Sequence, residues 1–310
     1  YLDSFVPVTE LFLTDQGSYG IPYAVDPLVM YYNRTLLSSA GVATPPATWE
    51  AVTGLAPRLT QKTGGQIFKS GIALGSYANI PNAGAVISLL LFQAGSPITT
   101  LSNGVVRSAL TQSTSADSAG ISPAESAISF YTQFADPAKT VYSWNGSLND
   151  ARQAFTAGDV ALYFGFASEE PFLAAANPNL DFDMAAVPQP ATSQARMTYG
   201  RAYAFAVPKA SRNASGAISV ARALTAADIA TSAARSLSMA PAQRALLTPQ
   251  ANDRFPAVFY PEALVAKGWL SPLPATTDAI FAAMIGNISS GRTNVQDALE
   301  KADQALDSSL

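Results

Sequence analysis

The stretch Ile21-Pro22-Tyr23-Ala24-Val25-Asp26-Pro27-Leu28-Val29-Met30-Tyr31-Tyr32-Asn33-Arg34-Thr35-Leu36-Leu37 begins with strand-forming residues and resumes as a second apolar run after Asp26-Pro27. Proline removes a ladder donor, so the chain is expected to bend or cross near Asp26 and Pro27 rather than continue as a central strand. Further on, Pro45-Pro46-Ala47-Thr48-Trp49-Glu50 sets an extended entry with Thr48 as cap, and Val52, Leu55, Ala56 and Leu59 follow at helical spacing. Pro57 is expected to kink or shorten that helix.

The same alternation continues along the chain. Ala83 to Ala94 reads as a buried helix, too short and too interrupted to span a bilayer. Ser122-Pro123-Ala124-Glu125 is a capping box that opens a helix. Asn149 is expected to cap a helix that Gly158 ends, with Val160, Leu162 and Phe164 alternating as the next strand. Another strand is predicted from Ala202 to Pro208, and the Ala/Ser-rich stretch from Ser211 to Ala242 has a helical pattern. Two closing helices are predicted, Thr276 to Ile288 and one opened by a capping box at Thr293 and Gln296. Strands alternating with helices predict an α/β chain with parallel strands.

Composition removes much chemistry. The 310 residues include no His and no Cys, which excludes a Ser-His-Asp triad, a Cys nucleophile and His- or Cys-ligated metal centres. Carboxylate, hydroxyl, amine and amide chemistry remains, and no cofactor is implied. The net charge of -4, without a Lys/Arg cluster, argues against a nucleic-acid surface.

Four stretches, in this order, carry a resemblance: Ile21 to Leu37, the Pro-Pro-Ala-Thr-Trp-Glu helix start, Ala154-Phe155-Thr156-Ala157-Gly158-Asp159-Val160-Ala161-Leu162, and Ser290-Gly291 through Asp297-Ala298-Leu299. Together they resemble the extracellular solute-binding proteins of ABC transporters, in particular the sugar-binding family that includes maltose-binding protein. The resemblance implies a two-lobed periplasmic-binding-protein-like α/β fold with an interlobe ligand cleft. By resemblance, the crossings lie near Val25 and Asp26, near Tyr199 to Arg201 and near Gly268 to Pro274. One lobe would hold 1–25 and 202–268, the other 26–201 and 269–310. Family members carry further strands and helices before the Ile-Pro-x-x-Val-Asp stretch, whereas Tyr1 to Gly20 precede it here, so the first lobe is expected to be incomplete.

The implied function is that of an extracytoplasmic receptor. It binds a mono- or oligosaccharide and delivers it to the permease subunits of an ABC importer, as a monomer whose only link to the membrane is the permease or an anchor not seen in this chain. It would not be an enzyme. Asp26 stands where relatives place a carboxylate that accepts hydrogen bonds from sugar hydroxyls, or else caps the turn before Pro27. Tyr23 offers a ring to a pyranose face, while Tyr31 and Tyr32 read as core. Trp144, in a polar loop, is a candidate for stacking, and Phe166 stands where the family often has an aromatic platform. Glu169 adds a polar contact. Tyr199-Gly200-Arg201 occupies a hinge position, with Gly200 free to bend and Arg201 able to donate a fork of hydrogen bonds. Asn79 and Trp269 complete the expected set.

Two alternatives stay open on sequence. A carboxylate-dependent glycoside hydrolase would use Asp26 and Glu169 across a cleft. The same fold could also take a polyamine, a small anion or ferric iron, since hard ions prefer oxygen ligands.

Overall fold

The computed structural model describes residues 2–14, 17–102, 104–112 and 120–310. Its strands in chain order are β1 (Leu13–Thr14), β2 (Gly17–Ser18), β3 (Ile21–Asn33), β4 (Gln61–Thr63), β5 (Gln66–Ile72), β6 (Thr99–Ser102) and β7 (Val105–Ser108). They continue with β8 (Val160–Phe166), β9 (Phe182–Ala185), β10 (Thr198–Phe205), β11 (Ala240–Pro241) and β12 (Ala266–Lys267). The helices are α1 (Arg34–Ser39), α2 (Trp49–Leu59), α3 (Ala83–Gln93), α4 (Pro123–Thr132), α5 (Ala151–Thr156) and α6 (Glu170–Ala176). They close with α7 (Ala214–Leu224), α8 (Ala227–Ser236), α9 (Pro256–Leu264), α10 (Pro274–Ser289) and α11 (Val295–Ser309).

The chain divides into two compact units. Unit 1 comprises Tyr1–Val29, Gly165–Phe172 and Arg196–Gly268, and unit 2 comprises Met30–Phe164, Leu173–Ala195 and Trp269–Leu310. The stretches 26–29, 165–172 and 196–201 thus belong with the amino-terminal residues rather than with the carboxy-terminal unit expected for them. Hydrogen bonding explains this: Ser168 binds Asp26, and β10 pairs with β3 from Gly200 onward.

In unit 1, β10 runs antiparallel to β3 with Gly200 opposite Pro27 and Arg201 opposite Asp26, and parallel to β12. The short β11 pairs with β3 through Ala240 opposite Val25. In unit 2, the second half of β3 pairs antiparallel with β9, from Met30 opposite Ala185 to Asn33 opposite Phe182. There β8 neighbours β3 and pairs parallel with β5, and β4 closes the edge.

Of the bend or crossing expected near Asp26 and Pro27, the crossing is present, since the chain passes from unit 1 to unit 2 between Val29 and Met30, and it does so without interrupting β3, which continues to Asn33. The pairing explains the tolerance: the β10 ladder ends at Pro27 and the β9 ladder begins at Met30, so no ladder bond on that edge needs the missing N–H. Every residue of β8 is buried, which replaces the expected alternation by a strand covered on both faces, as parallel strands usually are. Tyr31 is fully buried, with Phe155, Tyr163 and Phe182 around its ring.

Local signals place most helix ends. Thr48 accepts from the Ala51 N–H and Ser122 from the Glu125 N–H, as expected. Two caps move by one residue: Asp150 rather than Asn149 opens α5, accepting from Arg152 and Gln153, and Asn294 rather than Thr293 opens α11, accepting from Asp297. Pro57 does not break α2, since it lies in the last turn and forgoes a single helical bond there.

Candidate functional site

Strand alternation puts Tyr199, Arg201, Tyr203 and Phe205 of β10 on one face, together with Asp26, the register partner of Arg201. Tyr23 joins that face through a β-bulge. Tyr203 pairs with Ala24 and Ala204 with Pro22, so Tyr23 is the extra residue, and a bulge of this kind re-aims a side chain that strict alternation would send to the other side. Its ring stacks on Phe205 at 4.7 Å and lies 6.3 Å from Tyr203. Tyr23, Tyr203 and Phe205 are all half-buried, so this aromatic row keeps ring surface open to solvent.

The other end of the face is polar. The 3-10 turn Ala167–Glu169 follows β8, and two carboxylates hold it. Glu169 Oε1 accepts from the Phe166 N–H at 2.9 Å. Asp26 accepts twice from Ser168, Oδ1 from the backbone N–H at 3.0 Å and Oδ2 from the hydroxyl at 2.6 Å. Above the turn, the exposed Arg201 guanidinium lies 3.8 Å from the centroid of the Phe166 ring, and Tyr199 meets the same ring edge-on at 6.2 Å.

Burial pushes the Asp26 carboxyl up to about 6, against the opposing pull of the two Ser168 hydrogen bonds and of Arg201, with the Glu169 charge adding to the rise. Burial is also the chief cause of the upward shifts of Tyr199 and Tyr203, and for Tyr203 the Asp26 charge adds to it. The Arg201 charge opposes the upward shifts of Asp26, Tyr199 and Tyr203 alike, so cation, phenols and carboxyl are electrostatically linked.

The structure therefore gathers Tyr23, Asp26, Phe166, Glu169, Tyr199, Gly200 and Arg201 in unit 1. Several roles change. Asp26 is 1% exposed with both oxygens on Ser168, so it supports the turn from below and does not present a free acceptor to a sugar hydroxyl. Phe166 is 2% exposed and covered by Arg201, so the guanidinium and not the ring faces outward. Gly200 has an ordinary backbone angle, and a Cβ there would stand 2.8 Å from Ala266 Cβ; its role is close packing of β10 on β12 rather than bending. The acid/base pairing of Asp26 with Glu169 also fails, because both carboxylates are engaged on backbone N–H groups of one turn.

The remaining candidates lie in unit 2. Trp144 is 1% exposed and donates its indole N–H to Asn79 Oδ1 at 3.1 Å, so it has no free stacking face. Asn79 in turn donates to the carbonyls of Asn145 and Leu148, so the side chain staples this loop. Trp269 is half-buried, stacks on Phe281 at 6.1 Å and donates to Ser88 Oγ.

Two ring residues escaped the sequence reading, Tyr203 and Phe205. Their signal was the alternation Tyr199, Arg201, Tyr203, Phe205, which begins ahead of the strand predicted from Ala202 and lies within the observed Thr198–Phe205. Beside Phe205, a mostly apolar concavity of about 860 Å³ is lined by Phe5, Ile21, Val207, Ile218 and Ala221. It also carries Ser4, Ser18, Tyr19, Arg222, Thr225 and Gln243, and shares Phe205 with the β3–β10 face. Among the described residues no group of three or more Asp or Glu could hold a metal ion.

Solved structures share this fold. A cyclo/maltodextrin-binding protein complexed with maltotetraose is 17% identical at a TM-score of 0.75, with 99% of this chain and 75% of that chain covered. The cyclic alpha-maltosyl-1,6-maltose binding protein from Arthrobacter globiformis is 20% identical at a TM-score of 0.77, covering 99% and 76%. The maltose-maltodextrin binding protein of Alicyclobacillus acidocaldarius is 18% identical at 0.71, again covering 99% and 76%. No curated protein sequence matches the chain. These likenesses establish the two-lobed periplasmic-binding-protein fold. Residues 2–231 match the family profile of the bacterial extracellular solute-binding proteins, and with that span of the chain and this fold the protein belongs to that family.

Proposed function

We propose that the protein is an extracytoplasmic receptor that binds a carbohydrate on the β3–β10 face of unit 1 and delivers it to the permease of an ABC importer. The observation that carries this reading is the row of half-buried rings, Tyr23, Tyr203 and Phe205, ending at the exposed Arg201 fork. A pyranose has an apolar C–H face that suits such rings and a rim of hydroxyls that suits a multi-donor fork. The phenol hydroxyls of Tyr23 and Tyr203 add donors and acceptors at the edge. The ligands of the related structures, maltotetraose among them, agree with a sugar. The family's extracellular character agrees with the location, and among the described residues no helix is long and apolar enough to cross a membrane.

The test is thermal unfolding against a panel of maltotetraose, mannotriose, monosaccharides, spermidine, sulfate and ferric citrate. A ligand that binds the folded state raises the melting temperature by mass action. The carbohydrate reading predicts that a sugar produces the largest rise. A rise with spermidine, sulfate or ferric citrate and with no sugar overturns it.

A further inference from the structure

Asp26 is inaccessible to ligand yet sits at the centre of the polar end of the face, and its connections show what it can do there. Its two oxygens hold both donors of Ser168, one from the backbone and one from the side chain. Ser168 belongs to the turn that begins directly after Phe166, whose own N–H is held by Glu169. Phe166 carries Arg201 on its ring, and Arg201 stands opposite Asp26 in the β3–β10 register. The connections run from the carboxyl through serine, turn and phenylalanine to the guanidinium of Arg201, whose charge in turn favours the ionised Asp26.

We propose that Asp26 and Ser168 are a positioning pair for the ligand-binding face: ionised Asp26 grips Ser168, thereby sets Phe166 beneath Arg201, and ligand affinity falls when Asp26 takes up a proton. The proposal rests on the reading that ligand binds at this face.

The groups around Asp26 account for the direction. From the turn come Ser168 and the Glu169 carboxylate, and from β10 come the Arg201 cation and the Tyr203 phenol. From β11, paired to β3 at Val25 and Ala24, come Ala240 and Pro241, which carry no charge. Protonation turns two charge-assisted hydrogen bonds into neutral ones of about half the strength and removes the negative partner that draws Arg201 inward. Burial places the titration near pH 6, so the ionised form dominates at neutral pH and is the minor form below about pH 6. One pH unit below the midpoint roughly a tenth of the molecules remain ionised, which lowers apparent affinity about tenfold if only that form binds well.

The first experiment needs no ligand. In 15N spectra of the ligand-free protein between pH 4.5 and 8, the Ser168 and Phe166 amides and the Arg201 side-chain N–H are expected to titrate with a common midpoint near 6. Asp26→Asn is expected to abolish that titration, and Ser168→Ala to move the midpoint upward, because the hydroxyl bond that favours the charged form is lost. A Ser168 shift with Phe166 and Arg201 unmoved, or no shared titration, overturns the positioning role. The second experiment measures maltotetraose binding by calorimetry at pH 7.5 and pH 5. Wild type is expected to weaken roughly tenfold while Asp26→Asn stays flat; equal wild-type affinity at both pH values overturns the coupling. Tyr203→Ala tests the face separately: unchanged binding by this variant overturns the site reading, while the amide titration still decides on the pair. If wild type binds no maltotetraose, the sugar reading fails for that probe and the amide titration alone decides.

Discussion

The Arg201 guanidinium lies over the Phe166 ring, its Cζ 3.8 Å from the centroid, and the residue as a whole is exposed. Contact with the ring anchors an exposed group that carries five N–H donors in a planar fork, which lysine cannot reproduce. Arg201→Lys and Arg201→Ala are therefore expected to weaken ligand binding about tenfold or more, while stability changes by less than about 1 kcal/mol, the usual size of an exposed cation–π contact. Calorimetry with the best ligand of the panel, set beside urea unfolding, separates the two effects. A large loss of stability with affinity kept would assign Arg201 a structural role.

Asp26 makes stability depend on pH in a defined sense. Its folded value of about 6 is raised above the ordinary carboxyl value of 3.8, so the contribution is fully present below about pH 4 and is lost as pH rises through 6. Two units correspond to about 3 kcal/mol. Asp26→Asn keeps the shape without the titration, so wild type should gain up to about 3 kcal/mol relative to the variant between pH 7.5 and pH 4. Urea unfolding of both proteins across that range measures the difference, from which other titrating groups cancel. A difference that stays constant with pH would contradict the raised value.

Asn79 and Trp144 hold a loop rather than a ligand. Asn79→Ala would orphan the buried Trp144 N–H and release the carbonyls of Asn145 and Leu148, at a cost of about 1–3 kcal/mol. Ligand affinity at the unit 1 face should change less than twofold. Denaturant unfolding and calorimetry on the same variant check both halves.

Gly200 gives a prediction of sign. A glycine-to-alanine change at an unstrained position usually stabilises by about 0.4–1 kcal/mol. Here the added Cβ would meet Ala266 Cβ at 2.8 Å, so Gly200→Ala should destabilise by about 1–3 kcal/mol instead. A rise in melting temperature would show that β10 and β12 can separate without cost.

What could be read in the sequence follows the range of the interactions. Caps such as Thr48 and Ser122 act three residues away and were legible; Asp150 and Asn294 were displaced by one, because neighbouring polar residues compete for the same N–H groups. Pro27 marked the crossing but not the continuity of the strand, because its tolerance depends on where two different ladders end and begin, which no local window contains. The site shows the same division. Asp26 and Arg201 were recognised by family position and Tyr23 as a ring suited to a pyranose face. The reversal of Asp26 from contact to support depends on Ser168, 142 residues away. Trp144 looked exposed in a polar loop, yet its partner Asn79 lies 65 residues earlier and draws it inside. The bulge that turns Tyr23 onto the face of Tyr203 and Phe205 is a property of the paired strands and has no signature in β3 alone.

The most direct measurement of the central claim is amide chemical-shift mapping during titration with the sugar that most raises the melting temperature. The account predicts that the largest perturbations fall on Tyr23, Tyr199, Arg201, Tyr203 and Phe205 and saturate with the calorimetric affinity. Perturbations confined to other elements, with these five resonances unmoved at saturation, would contradict it.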